Sequence, residues 1–328
     1  PLRSLAVGYI AGRFESGGWD WVKAILLGVA CDWMPEQRAI FLASLSPSVR
    51  TWDWLEHFDQ ATKQAYWNHA NPFRVEAANR RYAVTKLIEY NRSYAALDLL
   101  GLQLHTDRTS DQPDPELVTQ ALERASAERP GDNADANMLA YHVAEFLSFL
   151  EESGTVEESR LVQLEWAYLP LLEGSRGSPR LLHRELATNS TFFADVITLV
   201  YKAEDEQQSE ISEEQRIRAQ LGYRLLHSWR TMPGRRDDGS IDPTALVAWV
   251  DQARTLLAER GRAAVGDVCI GRVLQHGPAD DNGVWPHRAI RDVVDGTASE
   301  ELERGMEIEV GNSRGVTSRG LIDGGACL

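Results

Sequence analysis

The residues best suited to chemistry lie near the C-terminal end of the sequence. An indole, an imidazole, guanidinium groups and an amide occur there within a short stretch, at Trp285, His287, Arg291, Asn312 and Arg314. Such a mixture suits the centre of a protein-binding surface, a pocket for a polar ligand, or a catalytic site with the histidine as acid or base. Arginines that only pair with nearby carboxylates would give the same pattern. The sequence favours this structural pairing, then the interaction surface, then catalysis.

The eight histidines do not form a metal-binding motif. No pair has the H-E-x-x-H spacing that places two ligands on one face of a helix. His142 and Glu145 are three residues apart on a predicted helix, so they could share a ligand or a hydrogen bond, but an exposed pair beside a core stripe is the commoner arrangement. His183 and Glu185 are two residues apart and would point to different sides of a helix. We therefore predict no metal site and no catalytic residue.

Motifs for nucleotide binding and covalent catalysis are also missing. The sequence has no G-x-x-x-x-G-K-[ST], no G-x-G-x-x-G after a strand and no G-x-S-x-G. Cys31, Cys269 and Cys327 lie far apart without a C-x-x-C pair, so neither a disulfide framework nor a zinc site is indicated. Cys269 falls on an apolar segment and is expected to be a small buried residue. We expect no cofactor.

The charge balance narrows the classes of partner. The 328 residues include 49 acidic and 34 basic side chains, which gives a formal charge of −15. This excess opposes nonspecific binding to nucleic acid or to an anionic membrane, since both depend on basic patches. No apolar run reaches the roughly 18–20 residues that span a bilayer, and the N-terminus lacks the order of a signal peptide. We expect a cytoplasmic protein that binds a protein partner or neighbouring domains of its own chain, with no nucleic acid and no membrane.

Apolar residues recur almost everywhere with the period of an α-helix. Leu139, Val143, Phe146, Leu147 and Leu150, for example, lie at i, i+4, i+7, i+8 and i+11. Period-two alternation is nearly absent, apart from a possible edge strand over 306–310, which we assign to a helix. The periods predict helices near residues 4–14, 19–29, 35–44, 47–56, 75–89, 92–103, 115–126, 137–152, 156–173, 179–187, 190–202, 213–230, 243–259, 261–275, 286–294 and 298–310.

Start signals agree with these periods. Three pairs place a side-chain acceptor before a proline at the first helical position, namely Asp114–Pro115, Ser178–Pro179 and Asp242–Pro243. Three further pairs have the spacing of a capping box, namely Thr155 with Glu158, Ser212 with Gln215, and Thr297 with Glu300. Two independent kinds of local signal therefore predict the same helices.

Many consecutive helices with short connections predict an all-α fold. Such helices pack as antiparallel hairpins, which either close into bundles or stack. We favour stacked antiparallel helical hairpins that form an irregular, α-solenoid-like repeat array. Six of the ten tryptophans lie before position 71, so we predict a Trp-rich helical subdomain over 1–70 and a helical-repeat region over 71–328. The start at a proline and the uncapped end suggest a fragment of a longer chain.

Several segments also carry a family resemblance. They are AYW (65–67), YAVTKLI (82–88), AALDLL (95–100), LEWAYLPLL (164–172), PRLLHREL (179–186), FF (192–193) and NSRGV (312–316). Over about residues 60–328 the chain resembles the C-terminal helical region of large, mostly uncharacterised bacterial proteins. Some of those proteins are similar in layout to STAND or NACHT-like NTPases of antiviral defence, in which a P-loop engine precedes a helical sensor array. The resemblance implies helical repeats and a bacterial cytoplasmic setting. Because this sequence has no P-loop, it implies no catalytic or nucleotide-binding residue.

Three functions remain open on the sequence alone. We favour a non-catalytic helical repeat scaffold or sensor region that mediates protein–protein interaction within a larger bacterial protein. This hypothesis predicts exposed apolar and aromatic side chains. The alternatives are a ligand-binding or enzymatic domain that uses the Arg/His/Asn-rich C-terminal segment, and a purely structural spacer. The former requires His287, Arg291, Asn312 and Arg314 to surround one pocket. Whether this segment is an enzyme stays open, and the sequence favours the answer that it is not.

Overall fold

The computed structural model describes residues 2–105, 112–128, 136–172, 179–203 and 212–274. Within these ranges the chain forms α-helices and three short 3₁₀ helices, and its one β-bridge joins Arg235 to Ile241. The predicted all-α fold is therefore confirmed. No described helix is both long enough and apolar enough to span a lipid bilayer. The helices predicted at 286–294 and 298–310, with the Thr297/Glu300 capping box, lie outside the described residues.

The chain divides into two compact units, Pro1–Val156 (unit 1) and Glu157–Leu328 (unit 2). The subdomain edge predicted near residue 70 falls inside unit 1, where the 3₁₀ helix Pro72–Arg74 packs against the α-helix Ser93–Leu104. The described α-helices of unit 1 are α1 (Leu2–Leu27), α2 (Pro35–Ser44), α3 (Val49–Glu56), α4 (Gln60–His69), α5 (Arg80–Glu89), α6 (Ser93–Leu104), α7 (Pro115–Ala127) and α8 (Ala136–Ser153). Those of unit 2 are α9 (Glu158–Leu172), α10 (Arg180–Thr188), α11 (Ser190–Val200), α12 (Glu213–Ser228), α13 (Pro243–Glu259) and α14 (Ala263–Leu274).

Three of the predicted helix caps are present. The carboxylates of Asp114 and Asp242 accept backbone N–H bonds at the starts of α7 and α13, at 3.0 and 2.9 Å, and each precedes a proline at the first helical position. Ser212 and Gln215 form the expected reciprocal capping box at the start of α12. These helices begin where they were predicted because each cap satisfies backbone donors that no residue of the helix itself can reach.

Two predicted starts need correction. The Thr155/Glu158 capping box does not form: α9 starts its backbone bonds at the carbonyl of Glu157, and the Thr155 hydroxyl lies 3.0 Å from that of Ser153 instead. Helix α10 begins at Arg180, so Pro179 is the residue before the helix rather than its first residue, and Ser178 lies outside the described residues.

Two differences in unit 1 concern whole helices. Helices predicted at 4–14 and 19–29 are the two arms of α1, which bends at Gly18, where φ is 56° and ψ is −153°. Only glycine visits this conformation readily, which explains why the axis breaks there. Helix α4 was not predicted, although Asp59 caps it by accepting the backbone N–H of Thr62 at 2.8 Å.

Each unit has an aromatic core. In unit 1 the buried indole of Trp52 donates a 3.0 Å hydrogen bond to the buried hydroxyl of Tyr66, and Trp67 packs against both rings. In unit 2 the rings of Phe193, Trp229 and Trp249 contact one another in the centre of the packed helices. Burial of these large rings supplies much of the apolar surface that holds each unit together.

Candidate functional site

The five residues that the sequence singled out near the C-terminus lie outside the described residues. Trp285, His287, Arg291, Asn312 and Arg314 are therefore neither brought together nor separated by the structure. The ligand-binding or enzymatic alternative that rests on them stays a prediction.

The first arm of α1 presents an apolar face to solvent. Leu5 is 73% exposed and Tyr9 is 64% exposed. Gly8 and Gly12 are exposed on the same face, because positions 5, 8, 9 and 12 follow the i, i+3, i+4, i+7 spacing of one helix face. A Cβ atom added to either glycine would meet nothing within 4 Å. We call Leu5, Gly8, Tyr9 and Gly12 the open stripe.

The opposite face of this arm is partly buried. Val7, Ile10 and Phe14 are half-buried, and the Phe14 ring meets Trp19 edge to face with centroids 5.6 Å apart. Beyond the bend at Gly18, Val22 and Leu26 of the second arm are buried in unit 1. The open stripe is therefore the uncovered side of a helix whose other side is packed.

Large exposed apolar residues are confined to unit 1 among the described residues. Ten valine, leucine, methionine, phenylalanine or tyrosine side chains are exposed: Leu5, Tyr9, Leu27, Val29, Met34, Val49, Phe73, Tyr82, Leu102 and Tyr141. The described part of unit 2 has no large apolar side chain in this class. Single exposed apolar residues are normal at a protein surface, whereas Leu5 and Tyr9 lie together on one helix face, so the open stripe is the candidate contact surface.

His105, the residue after the end of α6, forms a polar contact with α8. His105 Nε2 lies 3.0 Å from Glu145 Oε2, and the His105 ring stacks on Tyr141. Glu145 therefore bonds a histidine on the neighbouring helix and not His142, which packs over Gly101. Burial lowers the pKa of His142, and the nearby Asp98 carboxylate opposes that change. Within the described ranges no group of three or more His, Cys, Asp or Glu side chains is arranged to hold a metal ion.

A serine and a histidine meet in unit 2 without forming an activated nucleophile. Nε2 of His183 lies 3.2 Å from Oγ of Ser228, whose hydroxyl donates to the carbonyl of Leu225 at 3.1 Å. The hydroxyl can thus accept a bond from the imidazole rather than give it a proton. The buried carboxylate of Glu165 accepts the backbone N–H of Leu182 and does not orient the imidazole. In a nucleophilic triad the histidine accepts the proton of the serine hydroxyl and a carboxylate orients the histidine, and His183 has neither relation to Ser228 and Glu165.

The environment of His183 predicts a loss of stability in acid. Burial, helped by the positive charge of Arg230, lowers the pKa of His183 to about 4 from an ordinary value near 6.5. The unfolded chain therefore binds a proton as the pH falls below about 6.5, whereas the folded chain stays neutral until about pH 4. We expect this one group to remove about 2–4 kcal/mol from the free energy of unfolding between these pH values.

Urea unfolding measured from pH 7.5 to 4 checks this expectation when the wild type is compared with His183→Gln. Glutamine keeps a donor for Ser228 but cannot take up the proton, so the variant should lose less stability in acid. Equal pH dependence in the two proteins would show that His183 titrates normally in the folded state.

Comparison with known proteins found no matching family model, no matching curated protein and no matching solved structure.

Sequence reasoning missed the open stripe because it assigned every helical apolar stripe to a core. A signal was present in the Gly8-x-x-x-Gly12 spacing, with Leu5 and Tyr9 on the same face. Small residues spaced in this way allow close approach of a second helix.

Proposed function

We propose that this chain is a non-catalytic α-helical module that acts by binding other protein chains, and that the open stripe of α1 binds a second copy of the chain. The proposal rests on one exposed face of α1, on which two large side chains, Leu5 and Tyr9, alternate with two glycines. The resemblance of residues 60–328 to the C-terminal helical region of large bacterial proteins, some of which have a STAND-like layout with a helical sensor array, is compatible with this class of role but does not extend to the open stripe.

The open stripe is complementary to itself when two copies meet antiparallel. A two-fold axis between positions 8 and 9 places Leu5 of one copy opposite Gly12 of the other, and Tyr9 opposite Gly8. Each large side chain then fills the space that a glycine leaves, as an isologous interface requires. The glycines also let the two helix backbones approach closely.

The charges near the stripe are compatible with this arrangement. None of the four residues of the open stripe is charged. The Arg13 guanidinium beside the stripe lies 5.9 Å from the centroid of the Trp21 ring of its own chain. The stripe itself therefore brings no like charges together when two copies meet.

The strength of the dimer follows from the size of the stripe. Its four positions extend over only about 10 Å of helix, so the area that the stripe can bury is smaller than the roughly 800 Å² per partner of a standard interface. We therefore expect reversible association with a dissociation constant of about 10–100 µM.

Sedimentation equilibrium of the 328-residue chain over a wide concentration range tests this proposal. Gly12→Leu should abolish dimerisation, because the new side chain occupies the space that receives Leu5. The helix itself should tolerate or gain from the change, by about 0.7 kcal/mol, since leucine is the better helix former and nothing lies near the new Cβ atom. The double variant Leu5→Ala/Gly12→Leu restores one large and one small residue at each contact and should recover dimerisation.

Two variants provide a matched control. Tyr9 and Phe73 are both 64% exposed, but only Tyr9 belongs to the open stripe. Tyr9→Ala should weaken dimerisation and Phe73→Ala should leave it unchanged. A chain that stays monomeric at every concentration, or a Gly12→Leu variant that dimerises like the wild type, would overturn the proposal.

A further inference from the structure

A pocket of about 140 Å³ lies in unit 2, between the C-terminal halves of α12 and α14. Its walls combine aromatic and aliphatic side chains, including Tyr201, Tyr223 and Val273, with the basic side chains of His227, Arg230 and Arg272. Engineered apolar cavities of about 150 Å³ accept a benzene molecule. The pocket is therefore large enough for one small ring.

The two arginines of the pocket form no ion pair within the part of the chain that the structure describes. Neither Arg230 nor Arg272 has a carboxylate partner among those residues, although acidic residues outnumber basic ones in the sequence. Other arginines of unit 2 are paired, such as Arg184 with Glu158 at 2.8 Å and Arg254 with Asp267 at 2.9 Å. Both pocket arginines are exposed, so they lie where the pocket opens to solvent.

Arg230 is fixed in place by the end of α12. Its Nη1 atom donates to the carbonyl oxygens of His227 and Trp229, at 2.7 Å each. These bonds satisfy carbonyls that carry the partial negative charge of the helix end, which would otherwise repel an anion. The remaining N–H groups of the guanidinium are left for a ligand.

The inner wall of the pocket is neutral. Burial raises the pKa of the Cys269 thiol to about 12, and burial also raises the pKa of the Tyr201 hydroxyl, so both groups stay protonated at neutral pH. Among the described residues no carboxylate lines the pocket. Tyr223 and His227 also line it, and their rings stack with an angle of 10° between their planes.

We infer that this pocket binds a small ring compound that carries an oxyanion, either a carboxylate or a phosphate. The ring packs against the aromatic and aliphatic wall, and the oxyanion meets Arg272 and Arg230 at the mouth. Guanidinium groups suit both kinds of oxyanion because their N–H groups match two oxygens at once. This site is independent of the proposed dimer contact, which belongs to unit 1.

Isothermal titration calorimetry of the full chain tests the inference with benzoate and phenyl phosphate as the two oxyanion probes. At least one of them should bind, and which one binds more tightly distinguishes the carboxylate from the phosphate. Benzyl alcohol has the ring without the oxyanion, and inorganic phosphate has the oxyanion without the ring. Each should therefore bind at least about tenfold more weakly than the better of the two oxyanion probes.

Arg272→Gln and Arg235→Gln supply the matched comparison. Both residues are exposed and form no ion pair with another described residue, but only Arg272 lines the pocket. Arg272→Gln should weaken binding of the oxyanion probe about tenfold or more, whereas Arg235→Gln should change it less than about twofold. Absence of binding by both oxyanions, an equal loss in the two variants, or equally tight binding of benzyl alcohol would overturn the inference.

Discussion

Replacing Phe193 by alanine is expected to lower the free energy of unfolding of unit 2 by about 3–5 kcal/mol. The Phe193 side chain is fully buried, and its ring centroid lies 5.0 Å from that of Trp249 and 5.5 Å from that of Trp229. Truncation removes apolar burial and leaves a cavity between two rigid indoles, which cannot collapse easily into the space.

Phe192 is the matched control for this substitution. It is the adjacent residue on α11, is half-buried, and meets Trp166 edge to face at the border of the same core. Phe192→Ala should therefore lower stability by about 1–2 kcal/mol. Urea unfolding, combined with hydrogen exchange of the α11 amides, measures both values. Equal losses for the two variants would show that Phe193 is not at the centre of the unit 2 core.

The helices were predictable because their signals are local. At α12 the Ser212 hydroxyl and the Gln215 amide satisfy each other's backbone donors three residues apart, so the sequence alone contains both partners. Cys269 was likewise expected to be a small buried residue on an apolar helix, and it is buried on α14.

Helix α4 shows where local signals were insufficient. Its buried apolar residues Ala65, Tyr66 and Trp67 are contiguous, and its fourth buried residue, Thr62, is polar, so apolar residues alone do not repeat here with the period of a helix. Contact with α2 and α3 gives this short segment its stability. A short helix of this kind depends on tertiary packing, which periodicity does not encode.

The two candidate sites could not be predicted from the sequence, for two different reasons. Leu5 and Tyr9 have the same helical spacing as core residues, and only the fold shows that they remain exposed while Val22 and Leu26 of the same helix are buried. The pocket of unit 2 brings Tyr201 together with residues of α12 and α14. No motif spans such separations, so this site could only be found in the folded chain.

In unit 1 the corresponding large effect is expected at Arg92. Its Nη1 atom donates to three backbone carbonyls at the C-terminal end of α4, those of Trp67 at 2.6 Å, Asn68 at 3.0 Å and Ala70 at 3.0 Å. Arg92→Met keeps much of the side-chain volume but leaves these carbonyls without a charged donor. We expect the free energy of unfolding of unit 1 to fall by about 2–4 kcal/mol, because a hydrogen bond from a charged group to a part-buried acceptor contributes more than a neutral one.

Arg81→Met separates this capping role from the loss of a positive charge. Arg81 pairs with Asp114 at 2.8 Å, but its side chain is 78% exposed, so its removal should lower stability by about 1 kcal/mol or less. Thermal unfolding and hydrogen exchange of the α4 amides should show that Arg92→Met loosens the end of α4 and Arg81→Met does not. If both variants lose the same amount of stability, Arg92 stabilises unit 1 through its positive charge and not through its bonds to the carbonyls of α4. If Arg92→Met alone loosens α4, the bonds from Arg92 at the start of α6 add to the contacts with α2 and α3 in stabilising a helix that is too short to be stable by itself, and such tertiary contacts explain why α4 forms although its sequence does not predict it.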